Sequence, residues 1–528
     1  MRDVVVVGAG HNALVAACYL ARAGLDVEVV ERDTVVGGAV STVERFPGYR
    51  MDRGSSAHIM VRHTGIVEEL NLAEVGLVYQ DLDPWGFAPF AEMPGGGLTF
   101  SVDLEATCAS IEAGCGARDA AAYRAFVTDW ADRNEAVFDA FQSPPTGANL
   151  GRHLWRTGRA SGLPGVELSR QFLTSGDGLL DSLFDDERLK TALSWLGAQS
   201  GPPCSEVATA DLVGWNALMH RRPPGHPVGG SGMLSEALAR RLASYGGTLR
   251  LGDGAARVTH SGGRVSGVTT SSGSHIAAGT VVAGCHVLTT LDLVGAEHLL
   301  PALGERARRT IRVGNGIGMV VRLATSALPR YPGCEDPSVH RSIQLVAPDR
   351  LALRAAYGDY LAGRPPTRPA VLAMTFSAFD DTIAPAGKHN VTVWGQWHAY
   401  ELSNGEDWDA IREREGQKLV DAVDAVAPGF AASVEQMHVQ TPLDLERELG
   451  LLRGNVMHVE MGLDQMFAYR PLPELAGYRT PVAGLYLTGA STHPGGGVFG
   501  ASGRSAARVV LADRSPSLLR RAVGRVRR

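Results

Sequence analysis

"VVVVGAGHNALVAACYLARAGLDVEVVER", Val4 to Arg32, decides the fold. Four consecutive valines suit a strand buried on both faces of a parallel sheet. Gly8 to Gly10 makes a turn, Asn12 to Ala23 reads as a helix with small residues along one side, and Gly24 ends it. Val27–Val30 then returns as a second strand, completing one βαβ unit. Within the turn, Gly8 permits the sharp bend, Gly10 lets main chain approach a pyrophosphate, and Ala13 fills the third position, where a small residue lets helix and strand pack. The phosphates would sit at the helix N-terminus, where free N–H groups and the helix dipole favour negative charge. Glu31 closes the second strand, placed to accept hydrogen bonds from a ribose diol. A 2′-phosphate there would meet a carboxylate, which argues against NADP.

The whole chain has 528 residues, more than one hydrophobic core usually serves, so two or more domains are expected. Hydrophobic residues at 45% and charged ones at 20% are ordinary for a globular protein, and a net charge of −6 gives no reason to expect a nucleic-acid partner. No two of the six cysteines are spaced CxxC, so neither a zinc ribbon nor a dithiol redox centre is indicated, and no metal site is expected. Scattered thiols suit a reduced, cytoplasmic setting. There is no leader-type segment and no apolar run of about 18 residues, so no membrane-spanning helix is expected. The C-terminal "RSPSLLRRAVGRVRR" interleaves six arginines with leucine and valine. It reads as a solvated terminus, with peripheral contact to an anionic membrane surface as the alternative.

The continuation "ERDTVVGGAVST", Glu31 to Thr42, separates flavin from nicotinamide. Arg32 followed by Gly37 and Gly38 resembles the extended fingerprint of the glutathione-reductase-like FAD-binding superfamily. That resemblance implies FAD, with the glycines passing close to its diphosphate and ribityl chain. Near the other end, "GLYLTGASTHPGGGVFGASGRSAARVVL", Gly484 to Leu511, resembles the C-terminal flavin motif of the phytoene desaturase family. It implies that Gly489, Ala490, His493, Gly496, Gly497 and Val498 lie along the ribityl chain and isoalloxazine; Val258 is added as a further cofactor contact. "GHNALVAA", "RGNVMHVEMGLDQMFAYRP" and "APAGKHNVTVWGQWHAYEL" resemble the branch that contains pyridine nucleotide-disulfide oxidoreductase domain-containing protein 2 and bacterial carotenoid ketolases. Despite that branch name, the missing CxxC speaks against disulfide reduction. "HVLTTLDLVG", from His286 onward, departs from the family pattern after its strand.

The fold class that follows is α/β: a discontinuous glutathione-reductase-like (Rossmann-type) FAD-binding domain with a mixed α+β substrate-binding domain. FAD-binding parts are expected at 1–84, 227–305 and 455–528, a helical cap at 85–226, and the sheet and helices of the substrate domain at 306–454. Gly262-Gly263 between two alternating runs signals a hairpin. The aromatic stripe Phe126, Trp130, Val137, Phe138 and Phe141 reads as core.

Bound FAD implies hydride removal from a C–H bond of an apolar or secondary-metabolite substrate, with oxygen, a quinone or another carrier as acceptor. His458 and Glu460, two apart in an apparently extended run, would point the same way and could act as an acid/base pair. His58 and His398 are further catalytic candidates. Three alternatives stay open: a flavin amine oxidase, a non-redox carotenoid isomerase, and a binding module like the GDP-dissociation inhibitors.

Overall fold

The computed structural model describes residues 1–163 and 165–515. The basic tail therefore lies, from 516 on, outside the described residues. The four valines form the central strand of a five-stranded parallel sheet, ordered Leu485–Leu487, Val281–Ala283, Val4–Val7, Val27–Val30 and Thr248–Arg250. Alternation puts Val4 and Val6 against the helices His11–Arg22, Met233–Ser244 and Ala501–Arg514, while Val5 and Val7 face the opposite layer. That layer holds the hairpin Ala255–Ser261/Arg264–Thr270 and helices between Val287 and Thr310. Gly262 and Gly263, at φ +56° and +73°, make the hairpin turn. Each valine so enclosed contributes about 1.5–3 kcal/mol of burial.

Two close approaches lock the first helix in place. A Cβ on Gly503 would fall 2.0 Å from Asn12 O, so Ala501–Arg514 crosses His11–Arg22 at backbone contact. A Cβ on Gly284 would fall 2.6 Å from that of Ala13. The chain therefore tolerates alanine at the fingerprint's third position because the residue that follows the facing strand, Gly284, is glycine.

A second sheet has seven strands, ordered Val434–Gln440, Gly318–Thr325, His389–Gln396, Val371–Met374, Ile343–Val346, Gly86–Pro89 and Gly97–Phe100. Only the pairing of Ile343–Val346 with Gly86–Pro89 is parallel. Met319, Val321 and Leu323 face the helix Trp408–Asp424, and Arg322 faces the other way, towards the first domain. Its buried guanidinium donates to Gly54 O at 3.1 Å and Ser56 Oγ at 3.0 Å, tying the second sheet to the loop at 54–56 in the first part of the chain.

Helices from Leu104 to Gly214 cap this sheet. The longest, Ala117–Phe141, buries Phe126, Trp130, Phe138 and Phe141 in the cap core. Its last turn reaches the C-terminal glycine-rich segment: Phe138 stacks on Phe499 at 5.5 Å, and Phe141 on Phe467 at 5.2 Å. Among the described residues, no helix is long and apolar enough to cross a membrane.

Candidate active site

Parallel strands end on one edge of the sheet, where the chain turns away at Gly8, Glu31, Gly284 and Gly489 and encloses a cleft of about 350 Å³. This is where open α/β sheets bind ligands, because the carboxyl ends of adjacent strands diverge there. Gly8, Gly10, Ala13, Glu31, Arg32, Gly37, Gly38, Gly489 and Ala490 all line it, so residues almost 500 positions apart share one wall.

The wall fits a dinucleotide. No side chain caps the helix His11–Arg22, and its N-cap is Gly10, at φ −64°, ψ 156°. Any residue can adopt that conformation, and a Cβ there would meet no atom within 4 Å. Neither backbone nor packing requires glycine at position 10; the missing side chain leaves room in the cleft. Asn12 Oδ1, buried beside it, has no hydrogen-bond partner among the described residues. Gly8 and Gly37 are different: both have positive φ (+90° and +112°), and a Cβ on Gly37 would fall 2.1 Å from Val40 O. The carboxylate of Glu31 accepts from Ala9 N at 2.6 Å and Asp33 N at 2.9 Å, which holds it against the glycine turn. Arg32 runs beneath Gly450, whose Cβ would fall 2.6 Å from the Arg32 Nη2 atom.

The remaining cofactor candidates lie outside the cleft wall. Val258 is buried in the hairpin layer opposite Val268, and Gly254 and Ala255, earlier in that segment, line the cleft instead. Position 258 is core because its side chain takes the inner face of the hairpin. His493, Gly496, Gly497 and Val498 sit beyond Ala490, crowded by methionine. Added Cβ atoms would meet Met461 Sδ at 2.7 Å from Gly495, Met457 Sδ at 2.5 Å from Gly496 and Met60 Cγ at 3.6 Å from Gly497. His493 Nε2 lies 3.1 Å from Ala140 O in a fully buried setting. Val498 is held at φ +60°, a costly conformation for a β-branched residue, so its surroundings fix this turn firmly.

The catalytic candidates separate sharply. The run around His458 is irregular, not extended: His458 itself sits at φ +65°, and the expected same-side pairing with Glu460 does not form. Glu460 instead turns to the surface, 2.7 Å from Arg312 Nε, with its side chain 38% exposed. The extended reading fails because 455–470 is a coil folded around the buried Arg470, with no strand neighbour to hold it straight. His458 lines the cleft, its Nδ1 3.1 Å from Ser491 Oγ. Neither of the other two histidines lines it. His58 has both ring nitrogens engaged, 2.7 Å from Tyr79 Oη and 2.8 Å from Ser231 Oγ, and burial pushes its pKa down to about 3. His398 is buried beside Trp408, with Nδ1 3.1 Å from Gly395 O.

Two histidines of the cleft went unread in the sequence, His11 and His286. His286 caps the helix Val287–Leu293: its Nδ1 accepts from Leu288 N at 3.1 Å. Nε2 is then the protonated nitrogen and donates to His458 O at 2.9 Å, with the two rings stacked 5.5 Å apart. The departure from the family pattern at "HVLTTLDLVG" was the available signal. Burial lowers the pKa of both His11 and His286 to about 4 and that of His458 well below 6.5, so these imidazoles are neutral at pH 7.

Residues 6–70 match the model of the NAD(P)-binding Rossmann-like domain. The chain is 33% identical to pyridine nucleotide-disulfide oxidoreductase domain-containing protein 2 of Rattus norvegicus, over 97% of this chain and 93% of that one. It is 28% identical to phytoene dehydrogenase of Streptomyces griseus, covering 94% and 92% of the two chains. The crystal structure of an oxidoreductase from Methanosarcina mazei superposes with a TM-score of 0.64 at 17% identity, covering 97% of this chain and 100% of that one. This chain belongs to the family of pyridine nucleotide-disulfide oxidoreductase domain-containing protein 2, within the FAD-dependent oxidoreductases of the phytoene desaturase superfamily.

Proposed function

We propose that this FAD-dependent oxidoreductase acts as a dehydrogenase, desaturase or oxidase on an apolar substrate, with oxygen, a quinone or another carrier as acceptor. When bound, FAD supplies a two-electron acceptor for hydride from a substrate C–H bond. One observation carries the reading: the open side-chain space at Gly10 shares a cleft with Gly489 and Ala490 from the far end of the chain.

In this reading Gly8, Gly10, Ala13 and the helix behind them hold the diphosphate, Glu31 the ribose diol, and Arg32, Gly37 and Gly38 the neighbouring stretch. Gly489 and Ala490 hold the ribityl chain, and His493, Gly496, Gly497 and Val498 flank the ring. Met60, Met457 and Met461 support that last placement, because unbranched thioether side chains re-pack at low cost. The FAD-binding unit is assembled from 1–84, 227–305 and 455–515, and the substrate domain from 85–226 and 306–454; the remainder of the last stretch, to 528, lies outside the described residues. His458 is the proton-transfer candidate, being the one of the four proposed groups in the cleft wall; His58 and His398 serve packing, and Glu460 a surface ion pair. An apolar substrate accords with the aromatic junction of Phe138, Phe141, Phe467 and Phe499 over the glycine-rich turn, and with phytoene dehydrogenase among the relatives.

Anaerobic bleaching of the flavin against a panel of polyenes, alcohols and amines tests the proposal. Bleaching by a polyene or an apolar alcohol supports it. Bleaching only by amines, with ammonia or aldehyde released, would move the chain to the amine oxidases.

A further inference from the structure

Arg470 is fully buried, and its guanidinium meets no carboxylate among the described residues. Nε and Nη2 donate to Ala490 O at 3.1 and 2.6 Å. Nη2 also reaches Met457 O at 2.7 Å and Val459 O at 3.3 Å, and Nη1 reaches Glu460 O at 3.1 Å and Gln465 O at 3.2 Å. The acidic side chains of that loop are engaged elsewhere: Glu460 and Asp464 both pair with Arg312. Burial alone lowers the Arg470 pKa to about 9, which still leaves it charged at pH 7. Its charge also helps to keep His286, His458 and His493 neutral, so these rings neither compensate it nor add to it.

A buried ion without a partner costs several kcal/mol. Backbone carbonyls recover part of that cost, but five weak dipoles are a poor substitute for an anion. A reduced flavin held in the cleft would bring negative charge there, and the residue whose carbonyl takes two of the Arg470 bonds, Ala490, lines it. A trans peptide directs the N–H of Ser491 opposite to the Ala490 carbonyl, so Arg470 both orients and polarises that peptide.

We propose that Arg470 is the built-in counter-charge for reduced flavin, acting through the Ala490–Ser491 peptide to stabilise negative charge on the cofactor and to raise its reduction potential. The inference rests on the FAD reading of the cleft. It makes Arg470 a positioning residue, one peptide removed from the ligand.

The test compares wild-type holoenzyme with Arg470→Gln and Arg470→Lys by spectroelectrochemical titration, by sulfite affinity for the bound flavin, and by thermal melting. Arg470→Gln is expected to lower the equilibrium constant for reduction at least tenfold, about 30 mV more negative for two electrons, and to weaken sulfite binding in parallel. Arg470→Lys keeps the charge with fewer carbonyl contacts. It should recover most of both quantities while melting below wild type. Potential and sulfite affinity unchanged in Arg470→Gln, or shifted equally by lysine and glutamine, would overturn the proposal and leave Arg470 a structural clamp. If Arg470→Gln yields no holoenzyme, the reduced wild-type flavin decides: an anionic spectrum at pH 7 supports the counter-charge, and a neutral one overturns it. A wild-type protein that takes up no FAD overturns the cofactor reading and this inference together; a flavin-loaded one with an unshifted potential overturns this inference alone.

Discussion

Replacing Gly10 by alanine isolates the ligand from the fold. At φ −64°, ψ 156°, alanine is unstrained, and its methyl would meet no protein atom within 4 Å. Two small effects on the empty protein then oppose each other. Losing the conformational freedom of glycine in the unfolded chain stabilises by about 0.4–1 kcal/mol. Alanine is a poorer N-cap than glycine, which costs a comparable amount. The flavin-free protein should therefore melt within a degree or two of wild type. The bound state has no such compensation. The methyl projects into the space reserved for the diphosphate, and overpacking a well-fitted site costs about 1–3 kcal/mol. The expected result is a 10- to 100-fold rise in the FAD dissociation constant, read by titration against flavin absorbance, with the apo melting curve unmoved. Gly37→Ala is the contrast: its Cβ would lie 2.1 Å from Val40 O at φ +112°, so it should lower stability without any ligand. If Gly10→Ala binds FAD as tightly as wild type, the diphosphate does not lie against that turn. If it melts as low as Gly37→Ala, the glycine serves the fold and the reasoning fails.

Acid should destabilise the protein early. His11, His286 and His493 are depressed to about 4, and His58 and His398 to about 3, from an ordinary 6.5. Between those values the unfolded chain binds protons that the folded chain refuses, so their contribution is complete above pH 6.5 and is lost as pH falls, on the order of 1.4 kcal/mol per pH unit per histidine. A melting temperature that is flat from pH 7 to pH 5 would refute this. His458→Gln should keep its flavin and lose about 100-fold or more in turnover if His458 transfers a proton, whereas Glu460→Gln should stay within about twofold and shift stability by less than about 1 kcal/mol. Equal losses in both variants, measured by steady-state kinetics, would contradict the separation of the two side chains. Phe141→Ala removes a ring packed against Trp215, Phe467 and Phe499, and should cost about 3–5 kcal/mol in chemical denaturation. A loss below 1 kcal/mol would show that the cap does not grip the glycine-rich turn.

The first βαβ unit and the C-terminal glycine segment were legible because local rules govern them. Four valines can sit between two layers only as an inner strand, and glycines in a strand-to-helix turn mark where backbone must come close to a ligand. Val258 turns its side chain into the hairpin core, which the sequence could not show, because a hairpin's alternation gives the period of its faces but not which face is inward. The His458–Glu460 pair misled for a related reason. "NVMHVEM" reads as extended, yet among the described residues no strand pairs with it, and Arg470 gathers its carbonyls into a coil. His286 caps locally, through Leu288 N two positions on, but its place in the cleft was not legible, since that depends on a carbonyl 172 positions away.

By itself the sequence determined a dinucleotide fold, the flavin family and the two ends of the chain that meet, all of which rest on short motifs whose geometry is set within one turn of backbone. Only the tertiary structure decided which histidines face the cleft, which glycines leave room there and which merely relieve a clash, and that a buried arginine lies behind Ala490 with no carboxylate partner among the described residues. Those properties depend on the distance between segments far apart in the chain. Burial, charge and exclusion act through space, and local pattern carries no record of them.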